Sequence, residues 1–152
     1  MTTSKQTRIG TAMACGAAIA IMALLPAATP TGELTVSVEQ LRSVKGMVRL
    51  CLTTQKEYFP DCDKDPNARF TSVKASTAKV TFKGLPKGSY ALAVFHDENA
   101  NEKLDTFAGI PKEGIGFSRN PKFTFGPPKF AKALFSAEAG ETKLNVRMKY
   151  FL

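Results

Sequence analysis

The chain has 152 residues, with 21 Lys and Arg, 13 Asp and Glu, one His, three Cys and no Trp. That length suits one domain and leaves no room for a second catalytic one. With 43% hydrophobic and 22% charged residues, a disordered or collagen-like chain is excluded, and the net charge of +8 names no activity.

Lys5 and Arg8 precede an apolar run from Ile9 to Leu25, and PAATPTG follows. A short basic region, an apolar stretch and then small residues predict a secretory signal peptide over 1–28, cleaved near Ala28. The alternative is a retained anchor, since the run approaches the shortest length that spans a bilayer. The small residues directly after it favour cleavage. Cys15 follows Ala12-Met13-Ala14 in mid-run, without the Leu of a lipobox, so no lipid anchor is expected. Export leaves a single domain over 29–152 with a net charge of +6. The remaining cysteines, Cys51 and Cys62, read as a disulfide in an oxidising compartment. A zinc site would need further ligands, and only His96 is available.

Period-2 alternation dominates the rest of the chain. Leu34, Val36 and Val38 alternate with Thr35 and Ser37, and Val48, Leu50 and Leu52 repeat the pattern. Val80 and Phe82 follow, then Tyr90, Leu92, Val94 and His96 on one face of a longer run. Leu144, Val146, Met148 and Tyr150 close the series, and weaker strands are expected near Phe70–Ala75 and Lys132–Ser136. Alternation of this kind marks half-buried strands. About seven short strands predict an all-β fold, an antiparallel β-sandwich, with Pro86 and Gly88 turning the chain between two of them. The segment 98–129 shows no clear strand and is rich in Gly, Pro and Phe. A long loop of that kind is functional or held by something, and its Phe residues are expected to pack over the sheet.

The densest polar constellation opens this loop. Asp97, Asn99, Asn101, the Lys103 carbonyl and Asp105 fall at positions 1, 3, 5, 7 and 9 of a calcium-loop pattern. Glu102 stands where the turn usually has Gly, and Ala108 where a bidentate Glu is usual. The competing reading is a metal-free Asx turn that bonds its own backbone. Asp61-Cys62-Asp63-Lys64-Asp65-Pro66-Asn67 reads as a solvated loop beside the disulfide. His96 and Glu113 are the candidates for acid–base work. His96 shares the parity of core residues, however, and Asp97 points to the opposite face of the strand. A nucleophile would have to be Ser118 or another hydroxyl, and no G-x-S-x-G elbow surrounds it. Scattered Lys and Arg suit solubility or an anionic surface. No nucleic-acid module, phosphate loop or dinucleotide fingerprint is present.

The run Gly88–Asn120, with Gly88-x-Tyr90, His96-Asp97-Glu98-Asn99, Asp105, Gly109-Ile110-Pro111-x-Glu113-Gly114 and Gly116-Phe117-Ser118, followed by FGPPKF, resembles a bacterial exported family known only as a domain of unknown function. The resemblance covers nearly the whole mature chain. It implies export and a transthyretin-like or immunoglobulin-like sandwich, and it supplies no substrate. The family commonly shows Gly where this chain has Ala100 and Glu102.

The reading reached from the sequence is an exported, periplasmic or secreted, non-enzymatic binding or accessory module of the cell envelope. Its working surface is the 98–129 loop, with calcium as the candidate ion. Its partner is an envelope protein, a glycan or a small molecule, with membrane contact at most peripheral. Two alternatives stand beside it. One is a small metal-dependent hydrolase or isomerase using His96, Asp97 and Glu113, and the other is adhesion to anionic envelope surfaces.

Overall fold

The computed structural model describes residues 30–124 and 126–152; the expected signal peptide, with Cys15, and Phe125 lie outside the described residues. The described residues form ten strands in an all-β sandwich. They are β1 (Thr31–Glu39), β2 (Met47–Thr53), β3 (Arg69–Lys74), β4 (Lys79–Pro86), β5 (Gly88–Asp97), β6 (Thr106–Phe107), β7 (Ile110–Pro111), β8 (Gly114–Phe117), β9 (Phe135–Ala137) and β10 (Gly140–Arg147). One sheet has the order β10-β1-β4 and the other β3-β2-β5-β8, with β9 also paired to β5, and β6 and β7 make a separate two-stranded sheet. A short helix, α1 (Phe130–Ala133), precedes β9. No helix among the described residues is long and apolar enough to cross a membrane.

The alternating residues meet between the two sheets. Leu34, Val36 and Val38 of β1 and Phe82 of β4 face Leu50 and Leu52 of β2 and Leu92 and Val94 of β5, all buried. Burying each such side chain contributes about 1.5–3 kcal/mol, which is why strict alternation specifies the face. Most pairings are antiparallel, as expected. The exception is β1 with β10, which run parallel with Val36 opposite Leu144 and Val38 opposite Val146. The turn at Pro86 and Gly88 carries the chain from one sheet to the other, since β4 pairs with β1 and β5 with β2.

Three local expectations need correction. The 98–129 segment is not strandless: it contains β6, β7 and β8, and β8 pairs with β5 in the main sheet. Lys132–Ser136 is not one strand, because α1 occupies its start and β9 begins only at Phe135. Asp65 is not solvated. Its carboxylate accepts the Thr53 hydroxyl and, at 2.8 Å, the Asn67 N–H, so it is buried and ties the 61–67 loop to β2. The Cys51–Cys62 disulfide joins the same two pieces, with the Cα atoms 6.4 Å apart.

The outer face of the β5 sheet is covered as well. Ala91, Ala93 and Phe117 form a second apolar cluster with Ala133, Phe59, Ile115, Phe123 and Phe130. The two alanines make room for rings, and Phe117 lies 5.1 Å from Phe123 and 5.6 Å from Phe59 between centroids. Phe117 and Phe123 of the long segment, with Phe130 just after it, thus pack on the sheet as expected, whereas Phe107 is exposed and does not.

Candidate functional site

The end of β5 divides the polar residues between two faces. Register puts His96 opposite Val48 and Asp97 opposite Met47, so the His96 ring turns inward and the Asp97 carboxylate outward. Both are fully buried. The His96 Nε2–H donates to the Lys45 carbonyl at 2.8 Å, an acceptor that takes only a donor. Nδ1 is hydrogen-bonded to the Tyr150 hydroxyl, 2.7 Å away, and accepts from it in the neutral imidazole. Tyr150 in turn accepts the Arg42 N–H at 3.2 Å, and burial raises its phenol pKa. Both ring nitrogens are thereby committed to the protein.

Asp97 is held more tightly. Its Oδ2 accepts Arg49 Nε at 2.6 Å and the Glu102 N–H at 2.9 Å, and Oδ1 accepts the Asn101 N–H at 3.0 Å. Arg49 and Asp97 are diagonal neighbours on the outer face of β2 and β5, because Met47 pairs with Asp97 and Arg49 with Phe95. Burial pushes the Asp97 carboxyl up, but the guanidinium and the two N–H groups outweigh it and hold the pKa below the usual carboxylate value.

The remaining residues of the calcium-loop pattern form a turn. Asn99 Oδ1 accepts the Asn101 N–H at 3.1 Å, and Asn101 Oδ1 accepts the Lys103 N–H at 2.9 Å. Both Asn amides donate to the Asp105 carboxylate. Ala100 (φ 57°) and Glu102 (φ 68°) sit in the left-handed region, which explains why glycine suits both positions. The oxygens of Asp97, Asn99, Asn101 and Asp105 are thus engaged with the protein's own donors. Among the described residues, no group of three or more His, Cys, Asp or Glu side chains is placed to share a metal ion.

Glu113 is a staple. It is buried, and its Oε1 accepts the Glu98 N–H at 2.9 Å while Oε2 accepts the Asp105 N–H at 3.1 Å. Glu98 binds Arg42 at 2.5 Å and Ser43 at 2.7 Å; Arg42 is the main cause of its lowered pKa, against the opposing effect of burial. Arg42 also donates to the carbonyls of Lys112 and Leu152 and lies 4.6 Å from the Tyr150 ring. Ser118 is buried, accepting the Leu92 N–H and donating to the Ala133 carbonyl. No hydrogen bond joins any two of the side chains of His96, Asp97 and Glu113 among the described residues.

Above this scaffold stands a hairpin. Thr106 pairs with Pro111 and Phe107 with Ile110, and Ala108 (φ 49°) and Gly109 (φ 77°) make the two-residue turn that left-handed residues allow. Phe107 is 64% exposed, Ile110 44% and Leu104 38%.

A family model described as "Uncharacterized protein conserved in bacteria (DUF2141)" matches residues 36–145, from the middle of β1 almost to the end of β10. The chain belongs to this family. No curated protein and no solved structure matches it. The match includes Arg42, Ser43 and Arg49 as well as the His96–Asn120 stretch, so the cations that fix the segment lie within the family's domain. Sequence reasoning missed Arg42, Arg49 and the part played by Tyr150. Arg49 offered one signal, a charge in the middle of the apolar alternation of β2.

Proposed function

We propose that the protein is an exported, non-enzymatic binding module of the cell envelope. Its working surface is the 98–129 segment, with the β6–β7 hairpin as the contact point. The observation that carries this reading is the contrast between base and tip. The base is fixed by Glu113, Asp97, Arg49 and the Arg42–Glu98 pair. The tip displays Phe107, Ile110 and Leu104 to solvent. A rigid support lowers the entropy lost on docking, and an exposed aromatic–aliphatic cluster is the chemistry of an interface anchor. The partner is an envelope protein offering an apolar groove, with Lys103 and Lys112 flanking the hairpin at its rim. The reading also rests on the commitment of His96, Asp97, Glu113 and Ser118 to internal bonds.

Photocrosslinking from position 106 in the exporting bacterium tests this. A discrete protein adduct is expected, lost in Phe107→Ser/Ile110→Ser and retained by His96→Gln. An adduct indifferent to the hairpin double substitution, or none, would refute the reading. Binding of the purified chain to lipid vesicles through Phe107 and Ile110, without a protein adduct, would refute the protein partner and favour a membrane contact.

A further inference from the structure

Past β8 the chain makes a second fixed feature. Arg119 (φ 64°) and Asn120 (φ 49°) are both left-handed, and the Asn120 N–H returns to the Phe117 carbonyl at 3.1 Å. The Asn120 side chain clamps this turn to the last strand. Its Oδ1 accepts the Arg147 N–H at 2.7 Å, and its Nδ2 donates to the Asn145 carbonyl at 2.9 Å. Between the clamped turn and the end of β10 lies an open cleft of about 460 Å³.

The half-buried Phe123 ring supplies the accessible apolar surface of this cleft, and Lys122, Arg147 and Lys149 line it as well. Among the described residues no Asp or Glu lines it. Lys149 Nζ is held by the Phe123 carbonyl at 2.6 Å and lies 4.9 Å from the Phe123 ring and 4.8 Å from the Phe151 ring, so an oxygen and two π-faces position it. Its other two N–H donors are not used by the Phe123 carbonyl. Arg147 has Glu39 at 3.9 Å, an exposed pair of little strength. No ion pair involves Lys122 among the described residues. Three cations thus line the cleft beside the Phe123 ring with one weak counter-charge between them.

We infer that this cleft binds a phosphate monoester, its phosphate taken by Lys122, Arg147 and Lys149 and its carbon skeleton laid on the Phe123 ring. Charge-assisted bonds from Lys and Arg suit phosphate oxygens, and a charge of about −2 matches three cations better than a carboxylate does. A sugar or acyl skeleton suits the face of the ring. The inference goes beyond the hairpin reading and does not depend on it. The phosphate monoester has two possible sources, a free sugar phosphate and the headgroup of phosphatidic acid.

Both are tested on the purified chain. Amide NMR shifts are followed on titration with glucose 1-phosphate, and cosedimentation is measured with phosphatidylcholine vesicles with and without phosphatidic acid. The site predicts saturable shifts confined to residues 117–124 and 145–149, or binding only to the phosphatidic acid vesicles; these outcomes identify the free and the lipid source respectively. In either arm Lys122→Gln/Arg147→Gln should weaken binding roughly tenfold or more. Lys79→Gln/Lys83→Gln, an equal charge change on β4, should leave it within about twofold. Phe107→Ser/Ile110→Ser should not alter it, which separates this site from the hairpin. Absence of binding in both arms, or equal losses from the two Lys/Arg pairs, would overturn the inference.

Discussion

Replacing Asp97 by Asn tests the account of the segment's base most directly. The substitution keeps the shape and removes the charge that Arg49 Nε meets at 2.6 Å. It also sets an amide N–H₂ against donors that now find carboxylate oxygens, the N–H groups of Asn101 and Glu102. Breaking a buried charged pair from one side costs about 3–5 kcal/mol. The Arg49 side chain is 21% exposed and keeps some hydration, which places the expected loss at the lower end, about 3 kcal/mol. A domain of this size is stable by about 5–15 kcal/mol, so the variant should still fold. With a urea slope of about 2 kcal/mol/M, the midpoint should fall by about 1.5 M. The difference should also depend on pH. The Asp97 carboxyl has its pKa lowered in the folded state, so its contribution is complete above the unfolded value of about 3.9 and disappears as pH falls through the folded value. Urea titrations of wild type and Asp97→Asn from pH 7 to pH 2 should therefore converge at the acid end. A loss below about 1 kcal/mol at pH 7, or a difference that does not shrink toward pH 2, would refute the argument. Glu102→Gln is the control: its pair with Arg49 is 3.4 Å long and 77% exposed on the Glu side, and it should change stability by less than about 0.5 kcal/mol.

Other substitutions probe separate elements. Ala100→Gly and Glu102→Gly should each raise the melting temperature, because relief of a left-handed residue, about 1–2 kcal/mol, exceeds the roughly 0.5–1 kcal/mol of entropy that glycine loses. Gly114→Ala should cost about 2 kcal/mol in chemical denaturation, since its Cβ would lie 2.5 Å from the Tyr150 ring that His96 and Arg42 hold. In a Tyr150→Ala background the same change should cost little, and a double-mutant cycle checks this. Cys51→Ser/Cys62→Ser, which frees a loop spanned by a sequence separation of 11, should lower stability by about 3 kcal/mol in the chain-entropy model.

The framework strands were legible because one buried face leaves a period of two, and the same parity separated His96 from Asp97. Strand direction leaves no such trace, so nothing in Leu144–Val146 announced a parallel neighbour. β8 was hidden for a specific reason. Gly114 and Gly116 suggest a loop, but a Cβ on Gly116 would come 2.7 Å from Val146 Cγ1, and one on Gly114 would strike Tyr150. Those glycines answer close packing inside a strand. The Asx pattern was visible as a cluster of oxygens. Its donors, Arg49 and backbone N–H groups, become visible only once register brings β2 beside β5.

The parallel seam between β1 and β10 also bears on the order of assembly. β1 sits between β4 and β10, and Gly32 lies beside Gly140, more than a hundred residues along the chain. The three-stranded sheet cannot be completed until β10 is free to move, and the segment that follows β10 then bonds across to β8 through Lys149 and Ile115. Such long-range closure makes for slow folding, in the millisecond-to-second range typical of sandwiches. It also delays commitment to the native state until β10 is in place. A C-terminal truncation before β10 should therefore leave a chain that does not reach the native state, whatever its intact N-terminal strands have formed.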